Sequence, residues 1–279
     1  MATWFITGCS TGLGRALAAA VLHAGHNAVL TARKPESLDD LVREHPDTAL
    51  VLPLDVRDHA QVVEAVRAGE ERFGALDVLV NNAGYGYRSA LEEGDPEEVA
   101  QLFATNFFGA VDVIQQVLPG MRNRGAGTIV NISSIAGRTS QPGSGYYSAT
   151  KFGLEGASVA LSKEVGPLGI RVIIVEPGGF RTDFAGRSLT QSAQPIGDYA
   201  ETAGKRRKEN DTIDGRQPGD PDRAAQAILR AVAADEPPLR LLLGSDALRR
   251  AEAELDAQRA EIDAWREVTM GTDFTEQAG

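Results

Sequence analysis

The feature that most constrains the fold is an alternation along the chain. Short apolar runs rich in β-branched residues are separated by longer stretches of helical periodicity. The runs cover residues 3–7, 28–31, 49–52, 76–80, 127–132, 171–175 and 240–243, and the helical stretches 13–24, 35–44, 59–73, 96–118, 146–165 and 221–234. Continuous rather than alternating apolar strands are buried on both faces, which requires a parallel sheet covered by helices on each side. Right-handed crossovers then predict an α/β, doubly wound, seven-stranded sheet with its ligand crevice at the carboxyl ends of the strands. The chemistry should therefore lie in the residues that follow each strand.

After the first run comes Thr7-Gly8-Cys9-Ser10-Thr11-Gly12-Leu13-Gly14, leading into a helix. Glycines here allow a tight turn and bring backbone N–H groups to a phosphate at the positive end of the helix. Further strand ends carry Asn81-Asn82-Ala83-Gly84, Ser133-Ser134 and Pro177-Gly178-Gly179-Phe180-Arg181-Thr182, while Tyr147-Ser148-Ala149-Thr150-Lys151 falls in a helical stretch. Tyr147 and Lys151 are four apart, about 40° around a helix, so they share a face. A neighbouring ammonium favours the phenolate of a tyrosine whose ordinary pKa is about 10. Tyr146 lies five positions from Lys151 and points away from it.

Charge and composition exclude other chemistries. With 28 Lys+Arg against 39 Asp+Glu the net charge is −11, unsuited to neutralising a nucleic-acid backbone. One cysteine, Cys9, excludes an intrachain disulfide or a cysteine-based zinc site, and its place in the glycine turn reads as inert packing. None of the four histidines pairs with another at helical metal-motif spacing, so no metal site is expected. With no signal-like N-terminus and no membrane-length apolar run, a cytoplasmic protein without a membrane partner is expected.

These motifs, in this order, resemble the short-chain dehydrogenase/reductase family in its shorter, single-domain subgroup. The resemblance implies a Rossmann-type fold and an NAD(P)-dependent oxidoreductase. In it Tyr147 is the general acid/base and Ser134 binds the carbonyl. Lys151 holds the nicotinamide ribose and lowers the tyrosine's pKa, while Asn106 relays protons through water. The cofactor residues it implies are Gly8, Ser10, Thr11, Gly12, Leu13 and Gly14 at the turn, Asp55 and Val56 at the adenine, and Asn82, Ala83 and Gly84 by the ribose. Pro177, Gly178, Phe180 and Thr182 fall beside the nicotinamide. After the second strand, Thr31-Ala32-Arg33-Lys34 offers no carboxylate for a ribose 2′-hydroxyl and two cations for a 2′-phosphate. NADP(H) is therefore the expected cofactor, with NAD(H) second.

The expected substrate pocket comprises Tyr85, Tyr87, Ile135, Ala136, Gln141, Phe180, Phe184 and Leu189. Most are apolar, which suits a hydrophobic alcohol or carbonyl compound. A narrower similarity to bacterial hydroxysteroid and retinol dehydrogenase-like enzymes points the same way. Residues 1–245 read as the catalytic unit, with a lid at about 180–220, and 246–279 as a helical extension and tail. Lys205-Arg206-Arg207-Lys208 reads as a solvated helix face. Leu248, Leu255 and Ile262 recur every seven residues and suggest packing on the same unit or on a partner subunit. The resemblance implies a homodimer or homotetramer. The alternative function is a catalytically silent NAD(P)-binding sensor or scaffold on the same fold.

Overall fold

The computed structural model describes residues 1–184, 186, 188–213 and 215–274, the side chains of 210–213 excepted. Among the described residues nine strands form: β1 (Thr3–Ile6), β2 (Asn27–Ala32), β3 (Ala49–Pro53), β4 (Val78–Asn81), β5 (Gly86–Arg88), β6 (Gly127–Ile132), β7 (Ile170–Pro177), β8 (Leu189–Gln191) and β9 (Arg240–Leu243). Seven of them make one parallel sheet in the order β3-β2-β1-β4-β6-β7-β9. Each expected strand is present. The winding reverses between β1 and β4, where such sheets open a crevice for ligands.

Alternate residues of each strand feed two separate cores. Trp4 and Ile6 pack with Leu17, Val21 and Ile228 under α1 (Gly12–His23) and the later helix Pro221–Ala233. Phe5, between them, joins Val62, Val66, Val113 and Val117 on the other face. That period of two explains why runs without polar interruption still form strands.

The remaining helices are α2 (Asp39–Glu44), α3 (His59–Phe73), α4 (Pro96–Phe103), α5 (Ala110–Arg124), α6 (Gly145–Val165), α7 (Lys205–Ile213), α8 (Pro221–Ala233), α9 (Ser245–Ala264) and α10 (Arg266–Met270). Two differ from expectation. The stretch 96–118 is α4 and α5 joined by a π-helical turn at Ala104–Gly109, and α5 runs on through Pro119. Buried Val117 and Met121 on either side of Pro119 hold the helix despite the lost N–H. Stretch 35–44 begins as a 3-10 turn at Pro35–Leu38 before α2.

β5 and β8 pair as a small parallel sheet that the apolar pattern does not reveal. Around it, the segment following β7 is fastened by buried Glu93. Its carboxylate accepts the Ile196 N–H at 2.8 Å and pairs with Arg207. Thus Arg206 and Arg207 turn inward rather than forming a solvated face, because buried carboxylate and cleft draw them there. The buried apolar residues of α9 are Ala247 and Ala251, which pack with Ile135. Leu248, Leu255, Ile262 and Trp265 are exposed. Among the described residues no helix is long and apolar enough to cross a membrane.

Candidate active site

A cleft of about 830 Å³ opens at the carboxyl ends of the strands, where the winding reverses. Its floor is the glycine turn. Gly8 has φ +71°, and a Cβ there would lie 2.9 Å from Ala83 Cα. A Cβ on Gly14 would strike the Asn82 amide and come within 2.5 Å of the Gly8 carbonyl oxygen. Asn82 itself braces the turn, donating to the carbonyls of Thr7 and Gly8 at 2.9 Å each. Gly14 is thus a packing glycine that does not line the cleft, whereas Gly8, Ser10, Thr11, Gly12 and Leu13 do. No side chain caps the start of α1, so its first N–H groups face the cleft for an anion.

At one rim Arg33 and Asp55 line the cleft with Val56, and Arg57 joins them. Asp55 accepts three bonds from the Arg57 guanidinium, at 2.6–3.2 Å, which hold its carboxyl below the usual range. Arg33 has no ion pair among the described residues. Lys34, the residue before the 3-10 turn at Pro35–Leu38, does not line the cleft. Asn82, Ala83, Gly84, Pro177, Gly178, Phe180 and Thr182 all line the cleft.

Ser134, Tyr147 and Lys151 meet on the wall opposite the turn. Ser134 Oγ accepts the Ala136 N–H at 3.1 Å, which leaves its hydroxyl hydrogen free to donate. Burial pushes the Tyr147 phenol above its ordinary pKa, and the Ser134 hydroxyl and Arg88 pull against that shift. Lys151 Nζ donates to the Ile132 carbonyl at 2.8 Å and lies 5.9 Å from the Tyr147 ring centroid. Burial lowers its pKa to about 8, opposed by Glu155. Asn106 does not line the cleft. The π turn swings it inward to accept the Tyr85 N–H at 3.0 Å and donate to the Tyr85 carbonyl at 2.9 Å. A Cβ on Gly84 would lie 3.1 Å from its Oδ1 and 3.7 Å from Lys151 Nζ. Tyr146 donates to the Leu91 carbonyl, away from the cleft.

Of the expected pocket residues, Tyr85, Ile135, Ala136, Gln141, Phe180 and Phe184 line the cleft. Tyr87 and Leu189 do not. Tyr87 alternates away from Arg88 along β5 and donates instead to Glu98 at 2.8 Å, and Leu189 packs at Gly86. Sequence reading missed Arg88, Arg206, Gln217, Asp246 and Arg250, all on the cleft. The clue lay in Arg88, an isolated cation soon after the Asn-Asn-Ala-Gly turn. Away from the cleft, His23, Glu44 and His45 gather ligand atoms within 4.8 Å of one another at the ends of α1 and α2. Cys9 packs under the turn, donating to the Ile6 carbonyl, its thiol pushed up to about 12 by burial.

Residues 2–193 match the profile of the short chain dehydrogenases. The chain belongs to the short-chain dehydrogenase family. It is similar to the oxidoreductase BOA17 of Botryotinia fuckeliana, 38% identical over 270 residues, which cover 96% of this chain and 98% of that one. A short-chain dehydrogenase from Streptomyces avermitilis shares its fold with a TM-score of 0.92 and 43% identity, over 98% of this chain and all of the other. An alcohol dehydrogenase from Thermococcus sibiricus, solved with 5-hydroxy-NADP, superposes with a TM-score of 0.72 at 27% identity, covering 87% of this chain and 96% of that one. The short-chain dehydrogenase architecture thus extends through β9, beyond the matched profile.

Proposed function

We propose that this short-chain dehydrogenase uses NADP(H) to interconvert an alcohol and its carbonyl compound on a small molecule with a substantial apolar part. The observation that carries this reading is the joint placement of Ser134, Tyr147 and Lys151 on the wall of the cleft floored by the glycine turn. The residues present fit a dinucleotide. An uncapped helix start meets a turn of which Gly8, Ser10, Thr11, Gly12 and Leu13 line the cleft, which favours a pyrophosphate there. Arg33 and Arg57 at the rim suit a 2′-phosphate, as does the NADP-type ligand of the Thermococcus relative.

When bound, the nicotinamide supplies and accepts the hydride. The chain's residues manage the oxygen and its proton. The Ser134 hydroxyl donates to an oxygen that gains negative charge, and Tyr147, kept protonated by burial, delivers the proton. Lys151, fixed by the Ile132 carbonyl, keeps further N–H donors for the cofactor ribose. Asn106, held on Tyr85, borders a route by which the proton is replenished.

Following NADPH absorbance with a panel of ketones and aldehydes tests the reading, and cofactor binding with no turnover would favour the sensor alternative. Arg33→Ala is expected to raise KM for NADPH about 10-fold or more, the worth of a charge-assisted bond, and to leave NADH unaffected. Equal losses with both cofactors would remove Arg33 from the phosphate site. The value of kcat/KM for NADPH, which reports the cofactor-free enzyme, is expected to fall above pH about 8. There Lys151 gives up its proton, so the charged form is present below and lost above. Lys151→Arg, charged throughout, removes that limb, and a limb that survives the exchange belongs to another group.

A further inference from the structure

Three arginines reach the cleft from three separate elements: Arg88 from β5, Arg206 from α7 and Arg250 from α9. Arg88 is only 8% exposed. Its Nη1 donates to Ser144 Oγ at 2.9 Å, at the residue before α6, but its Nε has no partner. Arg206 bonds Glu209 through Nη1, and its buried Nε is likewise unpartnered. Among the described residues neither Arg88 nor Arg250 forms an ion pair.

Among the cleft's own carboxylates only Asp246 acts on this charge, and it does so at Arg250. Asp246 accepts the Gly179 N–H at 2.8 Å, Glu98 accepts the Tyr87 hydroxyl, and Asp55 is taken by Arg57. Burial and the neighbouring Arg206 and Arg250 lower the Arg88 pKa to about 10, and Tyr147 opposes them. Burying Arg88 without a counter-ion is costly, so a cation in that position is retained where a ligand supplies the anion. The phosphates of a dinucleotide belong at the glycine turn and the Arg33 rim. Arg88 instead acts on Tyr147, held through Ser144 just before α6, and Arg206 and Arg250 gather about Arg88.

We infer that the substrate carries a carboxylate, gripped by Arg88, Arg206 and Arg250, at some remove from the carbon that reacts at Tyr147. The planar guanidinium fork matches a carboxylate with paired bonds. The apolar remainder of the substrate lies along Ile135, Phe180 and Phe184, so the substrate class is an apolar hydroxy or oxo acid. This inference rests on the hydride-transfer reading, which puts the reacting carbon at Tyr147. It also gives the C-terminal helix a part in specificity, through Arg250 at its inner end.

The test is a set of straight-chain oxo acids, the oxo group stepped along the chain, each beside its methyl ester. Turnover is followed with NADPH, and binding to the NADP⁺-saturated protein by calorimetry. The best acid is expected to exceed its ester in kcat/KM by about 10- to 100-fold, the range of a hydrogen bond to a charged group. Arg250→Gln and Arg206→Gln should each shrink that preference through KM while leaving ester turnover intact. Arg88→Gln should shrink it most, and the two less buried positions keep the test open if that variant does not fold. Esters that match their acids, or a preference that survives all three substitutions, overturn the inference while leaving hydride transfer standing. Turnover of no compound strikes the hydride-transfer reading instead. Calorimetry then still decides for the carboxylate site by whether acids bind and lose affinity in Arg250→Gln.

Discussion

Replacing Tyr147 with phenylalanine is expected to lower kcat at least ~10²-fold while NADPH still binds, the usual contribution of a positioned general acid. The substitution removes one oxygen and little else. The ring keeps its contact with Phe184, centroids 5.7 Å apart, and its place 5.9 Å below Lys151 Nζ. What is lost is the phenol proton, which burial holds in place and which the proposed mechanism passes to the substrate oxygen. The neighbouring Tyr146→Phe is the control, because that hydroxyl is spent on the Leu91 carbonyl and the residue lies off the cleft. Steady-state turnover with a substrate of the parent enzyme, together with NADPH fluorescence titration, makes the comparison. Turnover retained in Tyr147→Phe would remove Tyr147 from the chemistry.

The second large effect is on stability. Glu176, fully buried on β7, accepts two bonds from the Arg138 guanidinium at 2.8 and 2.7 Å. Arg240 lies 3.5 Å from the same carboxylate and 3.1 Å from Glu155. Burial and the nearby Glu176 already push the Glu155 carboxyl up. Arg138→Met leaves Glu176 short of its main partner in the interior. Breaking a buried pair from one side costs about 3–5 kcal/mol, and the remaining Arg240 places the loss near the lower end. At ~2–4 °C per kcal/mol for a chain of this size, Tm should fall by about 6–12 °C. Adding Glu176→Gln to Arg138→Met should recover part of the loss, since no buried charge is then stranded. A calorimetric scan in which Arg138→Met melts like the parent would show that the pair does not hold the fold.

The parts legible in the sequence are those whose signal is local. Seven buried strands show as apolar runs because both faces of each strand pack. The glycine turn shows because φ and close approach at Gly8 and Gly14 admit no side chain. Tyr147 and Lys151 show because four positions on a helix make one face. The arginine cluster is the opposite case. Arg88, Arg206 and Arg250 come from distant segments, and each alone reads as an ordinary surface cation. Glu93 and Glu176 likewise pass for surface acids, although both are buried and each fastens a distant arginine. Tyr87 misled because its place in the sequence beside Tyr85 says nothing of the pleat that turns it toward Glu98. β5 and β8 are three residues each and carry no periodicity long enough to read.

The lone cysteine has a practical consequence. Cys9 is fully buried beneath the glycine turn, and no other thiol exists in the chain. A thiol reagent therefore ignores the closed molecule and modifies only chains whose floor has opened, so its reaction rate is a clock for that opening. Because the same floor carries the residues proposed to hold the cofactor, a ligand seated on it is expected to slow the clock. The protein thus carries its own occupancy gauge, readable with no substrate in hand.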